Sequence, residues 1–201
     1  MYFRLFQLSN IYDNISYMKS RVFLAINIPL RVKEDIANIY LKLAKYLPIK
    51  GIKFVEKDNL HITLHFLGDQ TPKKIEQIKK IAKDLVIILN PFTVSLGGIN
   101  AFPNKSFPRI IILNIDKGGD CIKKIINDLG RRLSGIGVEI DKRALKAHIT
   151  LVRIKSGKVE FEKLEEIKKD NIDWQVKGFD LVESKLTENG PIYNILEHFS
   201  F

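Results

Sequence analysis

The sequence predicts an α+β fold built from two pseudo-repeated lobes of sheet and helix. Short β-rich runs and helical patterns alternate in the first half of the chain, and the second half repeats this order in looser form. The tetrapeptide HITL occurs at residues 61–64 and again at residues 148–151, although the chain has only four histidines. Each lobe is therefore expected to contribute one HITL strand.

The first half begins with the run RVFLAINIP, residues 21–29, which is short, apolar and closed by Pro29, as in a buried strand. Strands are also predicted for IKFVEK and for LHITLHFLG. A second helix begins behind Thr71 as N-cap, with Pro72 at its first position. The first helix directly follows the strand RVFLAINIP. It is predicted from apolar residues at helical spacing: Val32, Ile36, Ile39, Leu43 and Leu47.

The second half opens with the strand patterns FTVSLGGINAF and PRIIILNI and continues into a helix, the second HITL strand and a short helix. Two final strands, WQVKGFDLVESKL and IYNILEHFSF, are predicted on either side of a turn at residues 188–191. The apolar residues of the two helices are Ile122, Ile126, Leu129 and Leu133, then Phe161, Leu164 and Ile167.

Length and composition favour one domain. With 201 residues, 45% of them hydrophobic, the chain can bury a single core, and we assign residues 18–201 to one bilobal domain. Residues 1–17 fit no element of this scheme, and Met18 directly precedes the first convincing strand. We interpret residues 1–17 as an extension or as the result of a misplaced start codon.

Charge and hydropathy limit the partners. No apolar run reaches membrane-spanning length and no signal-peptide pattern is present, which predicts a cytoplasmic protein without a membrane partner. The formal charge of +10 favours a polyanion, although lysine-rich helices are also common solvated faces. The single cysteine, Cys121, lies on the inner side of a helical pattern and is expected to be a buried structural thiol.

The HITL strands carry the chemistry that the sequence predicts. Side chains alternate along a strand, so His61 and Thr63 share one face and Ile62 and Leu64 the other. The same alternation applies to the second motif, at His148 and Thr150. Two such strands would surround a phosphodiester with two imidazoles and two hydroxyls, so that one histidine activates water and the other protonates the leaving oxygen. Neither role requires a metal or another cofactor.

Two different roles for the histidines stay open. HITL can be a generic strand sequence, although two copies in corresponding places argue against this. His61 and His65 have the spacing of a helical metal-binding pair, but no third ligand lies nearby. On a strand, His65 would share the face of His61 and line the same cleft. His198 has no supporting motif and is expected to be structural.

These motifs resemble the paired His-x-Thr-x motifs of the two-histidine phosphoesterases, and the surroundings are similar to the RNA 2',3'-cyclic phosphodiesterase branch, also called 2'-5' RNA ligases. The resemblance runs from Arg21 to the C-terminus and includes RVFLAINIP, HITLHFLGD, PRIIILNI, HITLVRIK and ESKLTENGPIYNIL. It implies a bilobal fold of antiparallel sheet and helices with the active site in a central cleft.

The resemblance also implies roles for individual residues. His61 would be the proton donor, His148 the proton acceptor, and Thr63 and Thr150 the phosphate contacts. Three further roles follow from the family pattern: Arg153 would bind phosphate, and Phe23 and Phe66 would flank the nucleobase. Strict alternation puts Phe66 and Arg153 on the faces opposite to their histidines, so each strand would need a bulge or an end there. A core position for Phe23 and Phe66 remains the alternative.

The resemblance thus implies a metal-independent enzyme that hydrolyses the terminal 2',3'-cyclic phosphate of RNA to a 2'-phosphate. We expect a monomer whose partner is such an RNA end, for example a tRNA fragment. The alternative from another class is a noncatalytic basic RNA-binding protein that grips phosphate in the same cleft.

Overall fold

The computed structural model describes residues 19–141, 146–167, 171–188 and 190–201. The predicted extension at residues 1–17 lies outside the described residues, so the proposed domain boundary stays a prediction. A short 3-10 helix, Lys57–Asn59, precedes the first HITL strand. The strands and α-helices of the described chain are β1 (Ser20–Asn27), α1 (Leu30–Leu43), β2 (Ile52–Phe54), β3 (His61–Gln70), α2 (Pro72–Val86), β4 (Phe92–Phe102), β5 (Ile110–Lys117), α3 (Gly119–Ser134), β6 (His148–Ile154), α4 (Phe161–Glu165), β7 (Asp173–Val176), β8 (Gly178–Thr187) and β9 (Gly190–Ser200).

The strands form an antiparallel sheet in the order β7-β4-β5-β6-β3-β1-β8-β9, with β2 paired to β6. We call β3, β1, β8 and β9 the His61 lobe, and β6, β5, β4, β7 and β2 the His148 lobe. The α+β class is confirmed. The lobes exchange strands between the two halves of the chain, because β8 and β9 join β1 while β2 joins β6.

The predicted strand WQVKGFDLVESKL is two strands, which are separated by Lys177. The first, β7, pairs with β4, and the second, β8, pairs with β1, near the other end of the strand order. A single residue can connect these strands only if the sheet curls so that its two ends approach each other. The Phe201 amide N–H donates to the Lys177 carbonyl and the Phe92 and Phe201 rings stack, which ties the two ends together.

The helices bury the apolar stripes that the sequence predicts, with two differences. Thr71 caps α2 by accepting a hydrogen bond from the Lys74 amide, as predicted. Helix α1 ends at Leu43, so the buried Leu47 lies beyond it. Cys121 is exposed, and its predicted burial is wrong, because the core-facing stripe of α3 begins one residue later at Ile122. Within the described residues, no helix has the length and apolar character needed to cross a bilayer.

Candidate active site

The two HITL motifs meet at the boundary between the lobes. Strand β3 pairs with β6 through Ile62 and Ile149, the central residues of the two His-x-Thr triplets, and both are fully buried. In an antiparallel pair, this register sets His61 across from Thr150 and Thr63 across from His148. All four polar side chains therefore lie on the face opposite to the two isoleucines, in a pseudo-symmetric group around the Ile62–Ile149 pair.

Each motif contains a bulge one residue after its threonine. In β3, Thr63 pairs with Ala25 and His65 with Leu24, which leaves Leu64 as the extra residue. In β6, the corresponding extra residue is Leu151. A bulge reverses the alternation of side chains beyond it. Consequently Phe66 and Arg153, both exposed, return to the faces of their histidines, as the family resemblance requires.

The two imidazoles are oriented in the same way. His61 Nδ1–H donates to the carbonyl of Asn59 at 2.7 Å, and His148 Nδ1–H donates to the carbonyl of Lys146 at 2.6 Å. In each case the acceptor lies two residues earlier in the chain. A neutral imidazole that donates from Nδ1 keeps a lone pair on Nε2. On His61, Nε2 accepts a hydrogen bond from the Thr63 hydroxyl at 3.0 Å. Both Nε2 atoms are therefore the candidates for proton transfer.

Burial is the main influence on the charge of both histidines. Burial is the main reason why the pKa of His61 is lowered to about 4. The electrostatic effects of His148, Arg153 and Lys33 act in the same direction, and the hydrogen bond to the Asn59 carbonyl opposes them. Burial also lowers the pKa of His148, with contributions from Arg153 and Lys146. Both imidazoles are hence neutral at pH 7 until a ligand supplies negative charge.

Aromatic rings surround the histidines. The Phe23 ring lies 5.0 Å from the His61 ring and 6.0 Å from the Phe66 ring, between ring centroids. Phe23 is 3% exposed and forms the floor of the cleft beside His61, whereas Phe66 is 59% exposed and lies at its rim. Tyr193 contacts both Phe23, at 4.9 Å, and His61, at 5.5 Å. On the other side, Phe102 lies edge-on to His148 at 5.1 Å.

Arg153 is placed to act on both imidazoles. Its charge lowers the pKa of His61 and that of His148, and it also opposes the rise that burial causes in the pKa of Tyr193. One guanidinium therefore lies near groups from both lobes. A guanidinium in this position can hold two oxygens of a phosphate at once.

His65 does not line the cleft, and the predicted shared face with His61 is wrong. The bulge at Leu64 turns His65 to the opposite face, where it is 3% exposed and its Nε2–H donates to the Ile126 carbonyl of α3 at 2.7 Å. The pair His61 and His65 therefore cannot hold one metal ion together. No group of three or more His, Cys, Asp or Glu side chains suited to a metal occurs in the part of the chain that the structure describes.

Sequence reasoning assigned no role to three residues that contact the histidines. Asn59 orients His61 through its carbonyl, and its side-chain amide donates to the Pro191 carbonyl at 3.0 Å. Tyr193 belongs to the GPIY segment that contributed to the family resemblance. Phe102 mirrors Phe23 across the cleft, a relation that only the register of the sheet reveals.

Comparisons with known proteins agree with this geometry. The model of a family described as LigT like Phosphoesterase matches residues 26–112 and 116–193. The RNA 2',3'-cyclic phosphodiesterase of Methanocaldococcus jannaschii is 33% identical over 185 residues, which cover 89% of this chain and 99% of that protein. The protein of the same name from Archaeoglobus fulgidus is 31% identical over 183 residues, with 89% of this chain and 99% of that protein covered.

Solved structures share the fold. A crystal structure of a Thermus thermophilus protein superposes with a TM-score of 0.76 and 27% identity, and the match covers 90% of this chain and 97% of that one. The crystal structure of Escherichia coli LigT complexed with 3'-AMP has a TM-score of 0.73 at 24% identity, over 91% of this chain and 98% of that one. The second likeness supports the fold alone.

Proposed function

The chain belongs to the LigT like phosphoesterase family, and on this premise we propose that it hydrolyses the 2',3'-cyclic phosphate at the end of an RNA to a 2'-phosphate. The observation that carries the proposal is the pairing of the two HITL motifs through Ile62 and Ile149. This pairing supports a site with an imidazole on either side of a bound phosphate. An in-line displacement at phosphorus needs a base and an acid in such an arrangement.

The reaction uses Nε2 of both histidines. His148 takes a proton from water as the water oxygen bonds to phosphorus. The bond between phosphorus and O3' breaks, and His61 donates its Nε2 proton to O3', which leaves a 3'-hydroxyl and a 2'-phosphate. His61 must therefore be charged in the complex. The bound phosphodiester supplies the necessary field, because an adjacent anion raises the pKa of an imidazole.

The remaining site residues hold the substrate. The hydroxyls of Thr63 and Thr150 and the guanidinium of Arg153 contact non-bridging oxygens and stabilise the charge that develops on them. Phe23 and Phe66 flank the nucleobase, a role that their 6.0 Å ring contact and the exposure of Phe66 support. No step requires a metal ion.

The substrate class is RNA with a cyclic phosphate end, and fragments of tRNA are one source of such ends. The formal charge of +10 supports association with this polyanion. We propose that the protein acts as a monomer, because each motif of the catalytic pair comes from the same chain, and that it acts in the cytoplasm.

The test is turnover of a short RNA with a 2',3'-cyclic phosphate end, followed by chromatography that separates the 2'-phosphate from the 3'-phosphate product. We expect complete conversion to the 2'-phosphate and an unchanged rate after treatment with EDTA. A noncatalytic phosphate-binding protein would retain the RNA without turnover. Loss of activity with EDTA that zinc restores would instead support a metal-dependent reaction.

A further inference from the structure

A buried aspartate orients an exposed histidine on the same face of the His61 lobe as the catalytic motif. Asp180 is 3% exposed, and its carboxylate accepts a hydrogen bond from His198 Nδ1–H at 2.5 Å. The side chain of His198 is 57% exposed. A buried carboxylate is costly unless it is hydrogen-bonded, and here its partner is an imidazole at the surface. This arrangement fixes the ring and leaves its Nε2 edge for another contact.

Strand register connects this pair to the active site. Thr63 pairs with Ala25, Ala25 with Asp180, and Asp180 with His198. Residues directly opposite each other on neighbouring strands share a face, so the row leads from the phosphate-binding threonine to His198. At about 4.8 Å for each strand spacing, the row spans roughly 14 Å.

A pocket of about 120 Å³ lies beside this row, where the two ends of the curled sheet meet. Its polar lining combines the Asp180–His198 pair with Asn27, Gln175 and Lys177. Asn27 pairs with His61 on the neighbouring strand, so the pocket begins one strand away from the catalytic imidazole. A Cβ at Gly178, which also lines the pocket, would lie 3.0 Å from His198 Nε2, and glycine there leaves room for the ring.

The proposed reaction indicates which part of the substrate approaches this pocket. His61 is the acid that protonates O3', and O3' is bonded to C3' of the ribose. C3' is bonded to C4', and C4' carries C5', through which the RNA continues to the preceding nucleotide. The rest of the RNA therefore leaves the site on the side of the His61 lobe. Phe23 and Phe66, the proposed contacts of the terminal base, pair in the middle of β1, whereas Asn27 pairs with His61 at its end. A base held by the two phenylalanines would therefore direct the preceding nucleotide towards Asn27 and His198.

We infer that this pocket is a second subsite, which binds the nucleotide immediately 5' of the cyclic end, and that His198 contacts the phosphodiester joining the two nucleotides. The inference rests on the proposed function. Asp180 is a positioning residue that acts through His198. Lys177 at the rim adds a positive charge for the same phosphate. The enzyme would thus distinguish an RNA end from a free cyclic nucleotide.

The experiment compares kcat/KM for 2',3'-cyclic AMP with kcat/KM for the dinucleotide ApA carrying the same cyclic end. Wild type should prefer the dinucleotide, and His198→Ala should reduce this preference roughly tenfold, the effect of one hydrogen bond to a charged group. A dinucleotide with an uncharged methylphosphonate linkage should lose the preference with wild type and show no further loss with His198→Ala. Lys124→Ala, which removes an exposed cation from α3, is the control.

The outcomes separate the two proposals. If wild type hydrolyses neither substrate, the proposed function fails. If it hydrolyses both and His198→Ala keeps the preference for the dinucleotide, the subsite is refuted while the function stands. Equal losses on both substrates, together with a lower melting temperature, would show that the Asp180–His198 pair is structural and would also overturn the inference. Asp180→Asn should reduce the preference in the same direction as His198→Ala.

Discussion

Replacing Arg153 by Gln should weaken catalysis and raise the pH range in which the enzyme works. Arg153 is exposed and, beyond the bulge at Leu151, lies on the same face of β6 as His148. A hydrogen bond to a charged group contributes about 1.5–3 kcal/mol, and solvent exposure favours the lower end of this range. Because about 1.4 kcal/mol corresponds to a factor of ten, kcat/KM on a cyclic-phosphate RNA end should fall roughly 10- to 30-fold.

The pH dependence gives the second readout for Arg153. Its charge lowers the pKa values of His61 and His148, so Arg153→Gln should move both limbs of the profile of kcat/KM to higher pH. Arg153→Lys should retain the charge effect and restore part of the rate, since a lysine cannot contact two oxygens with a planar fork.

Arg109→Gln is the matched control for Arg153. Arg109 is also an exposed arginine, it directly precedes the strand partner of Arg153, and its guanidinium donates to the Lys155 carbonyl. We expect near-wild-type kinetics from this variant. If Arg153→Gln behaves like Arg109→Gln in both rate and pH profile, the guanidinium has no role at the phosphate and the reasoning is refuted.

Three further predictions concern the histidines. On a nitrophenyl phosphodiester, whose leaving group needs little protonation, His61→Ala should recover much of its lost rate relative to wild type while His148→Ala stays impaired; the opposite pattern would reverse the acid and the base. The pH optimum of kcat/KM should lie below 6.5, because burial lowers the pKa values of His61 and His148 in the free enzyme. The pH optimum of kcat should lie higher, because bound phosphate raises the pKa of His61. Coinciding optima would contradict an effect of bound phosphate on His61. Burial lowers the pKa of His65 below its value in the unfolded chain, so the free energy of unfolding should decrease as the pH falls below about 6.5. Urea titrations at several pH values should find a smaller decrease for His65→Gln than for wild type. Equal decreases would mean that His65 does not contribute.

Much of the fold could be predicted because its elements follow local patterns. Pro29 closes the first strand, Thr71 caps α2, and the strand FTVSLGGINAF coincides with β4. The assignment of strands to lobes could not be predicted, since β8 and β1 are far apart in sequence and their pairing is a tertiary contact. The break at Lys177 has the same origin, because WQV and GFDLVESKL are each good strand sequences and only their different partners separate them.

The candidate site was likewise predictable where it depends on local sequence patterns and not where it depends on strand pairing. The paired His-x-Thr spacing predicts the four polar side chains on one face, and the structure places them there. Periodicity alone gave the wrong face for His65, because the bulge at Leu64 depends on pairing with β1 and has no signature in the sequence. A bulge or strand end before Phe66 and Arg153 was predicted only because the family resemblance assigns these residues to the faces of their histidines. The contacts of Asn59 and Phe102 are tertiary and became apparent only from the structure.

The central claim is that His61 and His148 together hydrolyse a cyclic phosphate. The most direct measurement is kcat/KM of wild type, His61→Ala and His148→Ala on one RNA with a 2',3'-cyclic phosphate end, with circular dichroism to verify that each variant is folded. Removal of either imidazole should reduce kcat/KM by about 10²–10⁴-fold, the usual contribution of a positioned proton-transfer group, and the residual product should still be the 2'-phosphate. Wild-type activity in either folded variant would contradict the account.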